Sequence, residues 1–276
     1  MEHANDSRDG AAPERNAGTA EAGADLNPWV DVLGVRISAI TMGDALASIA
    51  AWIARREPHY VCVTPAHGVM DCHGDGELRD IFNGSGMTTP DGMSIVWLLR
   101  LRGCARVERV YGPDLLLAAC ERSIAAGWRH FFFGGLPGVA DLLAQRLQQR
   151  FPGLVIAGIM TPPFGPPTPE EDAEAVRTIN AARPDIVWVG LSTPKQERWM
   201  AAHLGLLAAP VLVGIGAAFD FLSGRKRQAP RWMQRAGLEW FFRLATEPLR
   251  LAPRYARYPQ FVFLALRQAF RARARS

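Results

Sequence analysis

Long apolar runs are missing from this 276-residue chain. None approaches the roughly 20 residues that a helix needs to cross a bilayer. The first residues hold Glu2, Asp6 and Asp9, without a basic stretch leading into an apolar one, which argues against a secretory signal. Cysteine is scarce. The four present, Cys62, Cys72, Cys104 and Cys120, show no CxxC spacing and read as reduced thiols, not as disulfides or zinc ligands. His67 and His73 flank Asp71, but at a spacing that matches no zinc site. GxGxxG is absent, which removes the dinucleotide fingerprint, and GxxxxGK[ST] is absent, which removes the triphosphate-binding loop. There is no GxSxG elbow. Large apolar side chains are nearly absent from residues 1–27, so that segment is expected to be a disordered tail.

Acidic residues are what the last fifth lacks. From Phe221 to Ser276 thirteen arginines and lysines face only Glu239 and Glu247, a net +11 that leaves −7 for the rest of a chain whose total is +4. Such asymmetry points to polyanions: phosphates, anionic lipid headgroups or nucleic acid. Trp232, Trp240, Phe241, Phe242, Tyr255 and Tyr258 are interleaved with these cations, a pattern suited to a membrane interface.

Between the two ends, strand and helix patterns alternate. WVDVLGVRISAI reads as a hairpin and MGDALASIAAWIARR as an amphipathic helix with Asp44 near its start. YVCVT, HFFFGG, LVIAGIM, DIVWVGL and PVLVGIG read as buried strands, separated by helices. MTTPDG reads as a break before the helix MSIVWLLRLRG. The alternation predicts an α/β fold: a Rossmann-like, mostly parallel sheet with helices on both faces and a basic helical C-terminal appendage. The expected division is 1–27 tail, 28–220 core and 221–276 appendage, and no internal repeat is found.

In such sheets ligands bind beyond the carboxyl ends of the strands. Several strands end there in small or polar residues: Thr64-Pro65-Ala66-His67, Gly134-Gly135, Ser192-Thr193-Pro194, and Gly214 to Gly216 with Asp220 beyond. Each could be a plain tight turn, but together they favour a nucleotide or another phosphorylated ligand. Asp91, in TPDGM, is either a helix N-cap or a general base at the mouth of the sheet. Asp114 reads as an N-cap. Arg109 stands beside a Gly-Pro turn and is either functional or a solvated charge.

The motifs TPDGMSIVW, RVYGPDL, FFFGG, GLSTPKQERW, GIGAAFDFLSG and APRWMQRAGLEWFFRLATEPLRLAPRY, in register from about Val32 to Tyr258, resemble the WecG/TagA/CpsF family of bacterial glycosyltransferases. The resemblance implies metal-independent, inverting transfer from a UDP-sugar to a sugar on a polyprenyl diphosphate, at the cytoplasmic face of the cell membrane, in cell-surface polysaccharide synthesis. It implies no cofactor and no nucleic-acid partner, and it leaves a homo-oligomer open. Matched position by position, Asp91 corresponds to the proposed base, Arg109 to an arginine near phosphate and Gln196 to a glutamine near the sugar. Thr64 corresponds to a donor-pocket residue and Asp220 to an acid contacting the nucleoside. Gly134 and Gly135 join the substrate-binding candidates. Arg243 and Arg250, with Arg254 beside the position of another basic residue, correspond to appendage arginines that close over the diphosphate. The family's Thr-x-Asn is here Thr64-Pro65-Ala66, which leaves His67 as the candidate to replace the amide. No DxD-like pair is present to hold a divalent cation, so cationic side chains are expected to meet the leaving UDP. An oxidoreductase would need the missing GxGxxG. A membrane- or nucleic-acid-binding module without enzymatic activity explains the charge, but not Asp91, Gln196 and Asp220 beyond strand ends.

Overall fold

A computed structural model of the protein describes residues 27–273. The expected disordered tail therefore lies outside the described residues, apart from Asn27. The chain opens with an antiparallel hairpin, β1 (Trp29–Val32) and β2 (Val35–Ser38), as the sequence predicts. Helix α1 (Met42–Arg55) starts at a capping box: Thr41 accepts from the N–H of Asp44, and the Asp44 carboxylate accepts from the N–H of Thr41.

Six strands then form one sheet: β3 (His59–Thr64), β4 (Met87–Pro90), β5 (Arg129–Gly134), β6 (Val155–Met160), β7 (Ile186–Gly190) and β8 (Val211–Gly214). Their order is β4-β3-β8-β7-β5-β6 and every pairing is parallel. The connecting helices are α2 (Ala66–Gly74), α3 (Gly76–Asn83), α4 (Met93–Leu101), α5 (Gly112–Ala126), α6 (Val139–Arg150), α7 (Pro169–Ala182) and α8 (Lys195–His203).

Successive strand residues point to opposite faces, and the core divides accordingly. Tyr60, Cys62, Phe131, Phe133, Val187, Val189 and Leu212 belong to one apolar cluster with α2, α3, α4, α7 and α8. Val61, Val63, Phe132, Ile186, Trp188, Val211 and Val213 belong to the other with α1, α5, α6 and α9 (Ala218–Leu222). Both faces are covered, which is why these strands read as continuous apolar runs and not as alternating ones.

Two sequence readings need correction here. MTTP is not a break but the edge strand β4, paired with β3 from Val61↔Met87 to Thr64↔Pro90. Proline lacks an N–H and is tolerated at such an edge. Asp114 does not cap α5, whose N-cap is Tyr111; it lies in the first turn and holds Arg231 through both oxygens at 2.9 and 3.0 Å.

After α9 the chain forms α10 (Arg231–Arg235), α11 (Glu239–Thr246), α12 (Pro248–Tyr255) and α13 (Tyr258–Arg273). A continuous helix from Leu238 to Leu251 would have put Arg243 and Arg250 on one face. Instead the chain breaks at Glu247 (φ −137°, ψ 58°), because a residue preceding proline is pushed out of the α region. Pro248 is the first residue of α12, where proline is favoured. Phe261, Ala265 and Ala269 of α13 are buried in the first cluster, and Gln268 accepts from the N–H of Leu33 at 3.0 Å. The last helix is thus packed on the hairpin and the sheet-covering helices. Burying a side chain such as Phe261 stabilises that contact by about 1.5–3 kcal/mol.

Candidate active site

Because all six strands are parallel, their carboxyl ends share one rim. The chain leaves β3 into α2 on one face and β8 into α9 on the other, which opens a crevice between these adjacent strands. The rim is tightly built. Gly134 (φ +121°) lies against Gly190: a Cβ on Gly134 would come within 2.7 Å of the Gly190 carbonyl. Gly135 (φ +78°) packs on Phe219. These two glycines have a packing reason to be glycine.

Asp91 follows β4. The bland reading of it fails: α4 is capped by Gly92, with no side-chain hydrogen bond. The Asp91 N–H donates to the carbonyl of Thr64 at 3.3 Å. Thr64 is fully buried and its hydroxyl donates to the Cys62 carbonyl, so its side chain serves its own strand while its backbone seats Asp91. Val110 N–H donates to the Pro90 carbonyl at 3.0 Å and the Thr89 hydroxyl donates to the Val110 carbonyl at 3.1 Å. This stitching brings the Arg109–Tyr111 segment alongside.

Arg109 lies over the Tyr111 ring, 3.9 Å from its centroid, and its Nε donates to the Asp91 carbonyl. Its Nη2 is 2.6 Å from Glu239 Oε2 but 3.9 Å from Asp91 Oδ1, too far for a hydrogen bond. Glu239 also accepts from the Tyr111 hydroxyl at 3.0 Å, and that hydroxyl accepts from Gln228. The Asp91 Oδ1 atom is buried without a hydrogen-bond partner. Burial pushes the Asp91 carboxyl up to about 6, against the pull of Arg109; Glu239 adds to the rise, while Arg243 and the N–H of Gly112 oppose it.

Arg243 comes from α11. Its guanidinium carbon is 5.5 Å from the Phe221 ring centroid and its Nε is buried without a partner. Arg254, from α12, donates to the Thr193 carbonyl at 3.3 Å. It helps to line a cavity of about 560 Å³ together with His67, Asp71, Thr193, Pro194 and Arg257. Arg257 holds Asp71 at 3.1 Å. Burial drives His67 well below the usual imidazole range, and Arg254 and Arg243 drive it further, so His67 is neutral at pH 7. Asp91 is not in the cavity wall; Arg243 connects the two regions, since its charge acts on both Asp91 and His67.

Gln196, 2% exposed, donates to Glu197 Oε1 at 2.9 Å, and Glu197 also accepts from the Thr193 hydroxyl at 3.0 Å. The Gln196 Oε1 atom is left without a partner beside Gly216, 3.3 Å from where a Cβ there would stand. Ser192, just before, holds φ +67°, a strained value for a non-glycine residue.

The predicted residues thus fall into three groups. Asp91, Thr64, Arg109 and Arg243 come together. Gln196 and Arg254 meet at Thr193, on the neighbouring part of the rim. Asp220 and Arg250 belong to a separate chain of charges: Lys226 reaches Asp220 at 3.1 Å and Glu247 at 2.8 Å, and Arg250 reaches Glu247 at 2.6 Å. Arg250 is exposed, and the break at Glu247 puts it on a different helix from Arg243. Glu239, Tyr111, Asp71 and Glu197 were missed by motif reading. For Glu239 a signal existed, since it is one of only two acids in a strongly basic segment.

An all-parallel α/β sheet whose carboxyl-end rim gathers a carboxylate raised by burial, the buried Gln196 amide and arginines from C-terminal helices makes this an α/β protein with a candidate ligand site at that rim. The chain belongs to the Glycosyl transferase WecG/TagA/CpsF family, whose profile matches residues 30–275. It is 32% identical over 178 residues, 64% of this chain and 67% of the relative, to an N-acetylglucosaminyldiphosphoundecaprenol N-acetyl-beta-D-mannosaminyltransferase of Bacillus spizizenii. It is 28% identical over 194 residues, 70% of this chain and 73% of the relative, to a protein of the same name from Bacillus subtilis. No helix among the described residues is long and apolar enough to cross a membrane.

Proposed function

We propose that this protein is an inverting glycosyltransferase that moves a sugar from a UDP-sugar to a sugar carried on a polyprenyl diphosphate, working against the cytoplasmic surface of the membrane. The observation that carries the reading is Asp91: a carboxylate at the rim of a parallel sheet, one oxygen unpartnered, held at about 6. A sugar hydroxyl is a poor nucleophile and needs a base of this kind within hydrogen-bond reach. Asp91 takes the hydroxyl proton as the hydroxyl oxygen attacks the anomeric carbon and the bond to UDP breaks. The charge that grows on the departing diphosphate is met by Arg243 and Arg254, which approach the rim from α11 and α12. Thr64 seats Asp91 through its backbone carbonyl, and Gln196 has an unpartnered Oε1 to offer the substrate. The relatives' printed names suggest a diphosphate-linked N-acetylglucosamine as the first acceptor to try and N-acetylmannosamine as the first sugar to transfer.

The test is a screen of UDP-sugars with a short-chain polyprenyl-diphosphate N-acetylglucosamine, reading out disaccharide by mass spectrometry and anomeric configuration by NMR. A product with inverted configuration is expected from one donor. Thermal stabilisation by UDP but no product from any donor would favour a nucleotide-binding module without transferase activity.

A further inference from the structure

Arg109 is shared by two carboxylates and does not share itself equally. It sits 2.6 Å from Glu239, on α11, and 3.9 Å from Asp91, on the core. Its Nε is fixed on the Asp91 carbonyl and its plane on the Tyr111 ring, so the end of the guanidinium is the part left to choose a partner. Glu239 fixes that choice, because its second oxygen is tied to Tyr111, itself held by Gln228. Glu239 is 9% exposed, and the Arg109 and Asp91 side chains are 15% and 17% exposed, so little water screens the triad. Remove Glu239, and the nearest anion for Arg109 is Asp91 Oδ1, the atom that now lacks a partner.

We propose that Glu239 is a positioning residue that holds Arg109 off Asp91, so that the seating of α11 on the core leaves Asp91 free to accept a proton. This rests on the reading of Asp91 as the base. It assigns Glu239 a task distinct from the arginines of the same segment: they meet the substrate, whereas Glu239 acts through Arg109. The other groups facing Asp91 are Arg243 on α11, Tyr111 and the Gly112 N–H at the start of α5, and Tyr258 on α13. None of them is altered by the substitutions below.

The test titrates Asp91 directly by ¹³C NMR of the aspartate carboxyls, its signal assigned by its loss in Asp91→Asn. In Glu239→Gln, which keeps the shape and the bond from Tyr111, the Asp91 titration should move down by about one unit or more, as for a carboxylate gaining an arginine partner. The same substitution in an Arg109→Gln background should move it much less, because the guanidinium that closes on Asp91 is gone. Equal shifts in the two backgrounds would reduce Glu239 to simple charge repulsion and overturn the proposal, as would an unmoved titration in Glu239→Gln. An unfolded Glu239→Gln protein would be replaced by Glu239→Asp, whose shorter side chain loosens the grip on Arg109 and should move Asp91 in the same direction by less. The reading of Asp91 as base fails separately, if the wild-type pH–rate profile does not follow the Asp91 titration although the NMR shifts appear as stated.

Discussion

At pH 7 a carboxyl that titrates near 6 is mostly ionised, yet basic enough to share a proton with a hydroxyl. Asp91 is brought there by burial, which outweighs Arg109 and Arg243. Two outcomes follow from one substitution. Asp91→Asn removes the basicity at nearly constant shape, and transfer should fall ~100- to 10,000-fold while UDP still binds; steady-state rates and UDP titration check both. In the wild type the acidic limb of the pH–rate profile should fall below about pH 6. The stability effect has the opposite sign. Asp91 binds its proton more tightly folded than unfolded, so the wild type loses stability as pH rises from about 4 to about 6. Asp91→Asn escapes this loss and should be more stable than wild type at pH 7.5 by up to about 3 kcal/mol, with the gain shrinking toward pH 4; thermal melts at the two pH values measure it. Asp91 is legible in sequence because Thr89-Pro90-Asp91-Gly92 interrupts apolar segments. Glu239 stands out only as one of two acids in a basic segment; its role is not legible, because it depends on a contact with Arg109 across 130 positions.

The elements show the same division between local and distant causes. The buried strands and amphipathic helices follow from short-range pattern and were readable. β4 was not, because four residues ending in proline carry too little pattern, and it is the pairing with β3 that makes them a strand. The break at Glu247 is local and was signalled by Pro248, but the consequence is not: it separates Arg243 from Arg250 and turns Arg254 to Thr193 and the cavity. This reorders the expected effects of the arginines. Arg243 is half-buried with an unpartnered Nε, and Arg254 lines the cavity, whereas Arg250 is exposed and engaged by Glu247. Arg243→Ala and Arg254→Ala should each raise the barrier to transfer by about 2–4 kcal/mol with a water-soluble acceptor. Arg250→Ala should cost less than about 1 kcal/mol, as the loss of an exposed ion pair does. Measuring kcat/KM for the three variants decides; an equal, large loss at Arg250 would restore a three-arginine clamp.

Across the whole molecule, charge and apolar surface are concentrated toward the C-terminus. The segment from Phe221 carries +11 while the rest carries −7. One side of α13 is buried through Phe261, Ala265 and Ala269, and the other exposes Val262, Phe263, Leu266 and Phe270 beside Arg267 and Arg271. Trp232, Phe241 and Leu249 are also exposed, Leu249 almost completely at 95%. Apolar side chains of this size are left in water at a cost unless something covers them, and the arginines among them select an anionic cover. A polyprenyl-linked acceptor would be presented at such a surface. We therefore expect reversible binding to anionic vesicles, each arginine near the surface contributing about 1 kcal/mol and the aromatic side chains adding apolar burial. Flotation should recover the protein with phosphatidylglycerol vesicles at low salt, much less with phosphatidylcholine vesicles, and less again with phosphatidylglycerol at 0.5 M salt, where charges are screened within about 4 Å. The double variant Phe263→Ser/Phe270→Ser, both exposed and outside the rim, should lower recovery at every salt concentration while leaving kcat with a water-soluble acceptor unchanged. Recovery that ignores lipid charge and salt would remove the electrostatic part of the argument, and recovery that ignores the two phenylalanines would remove α13 from the contact.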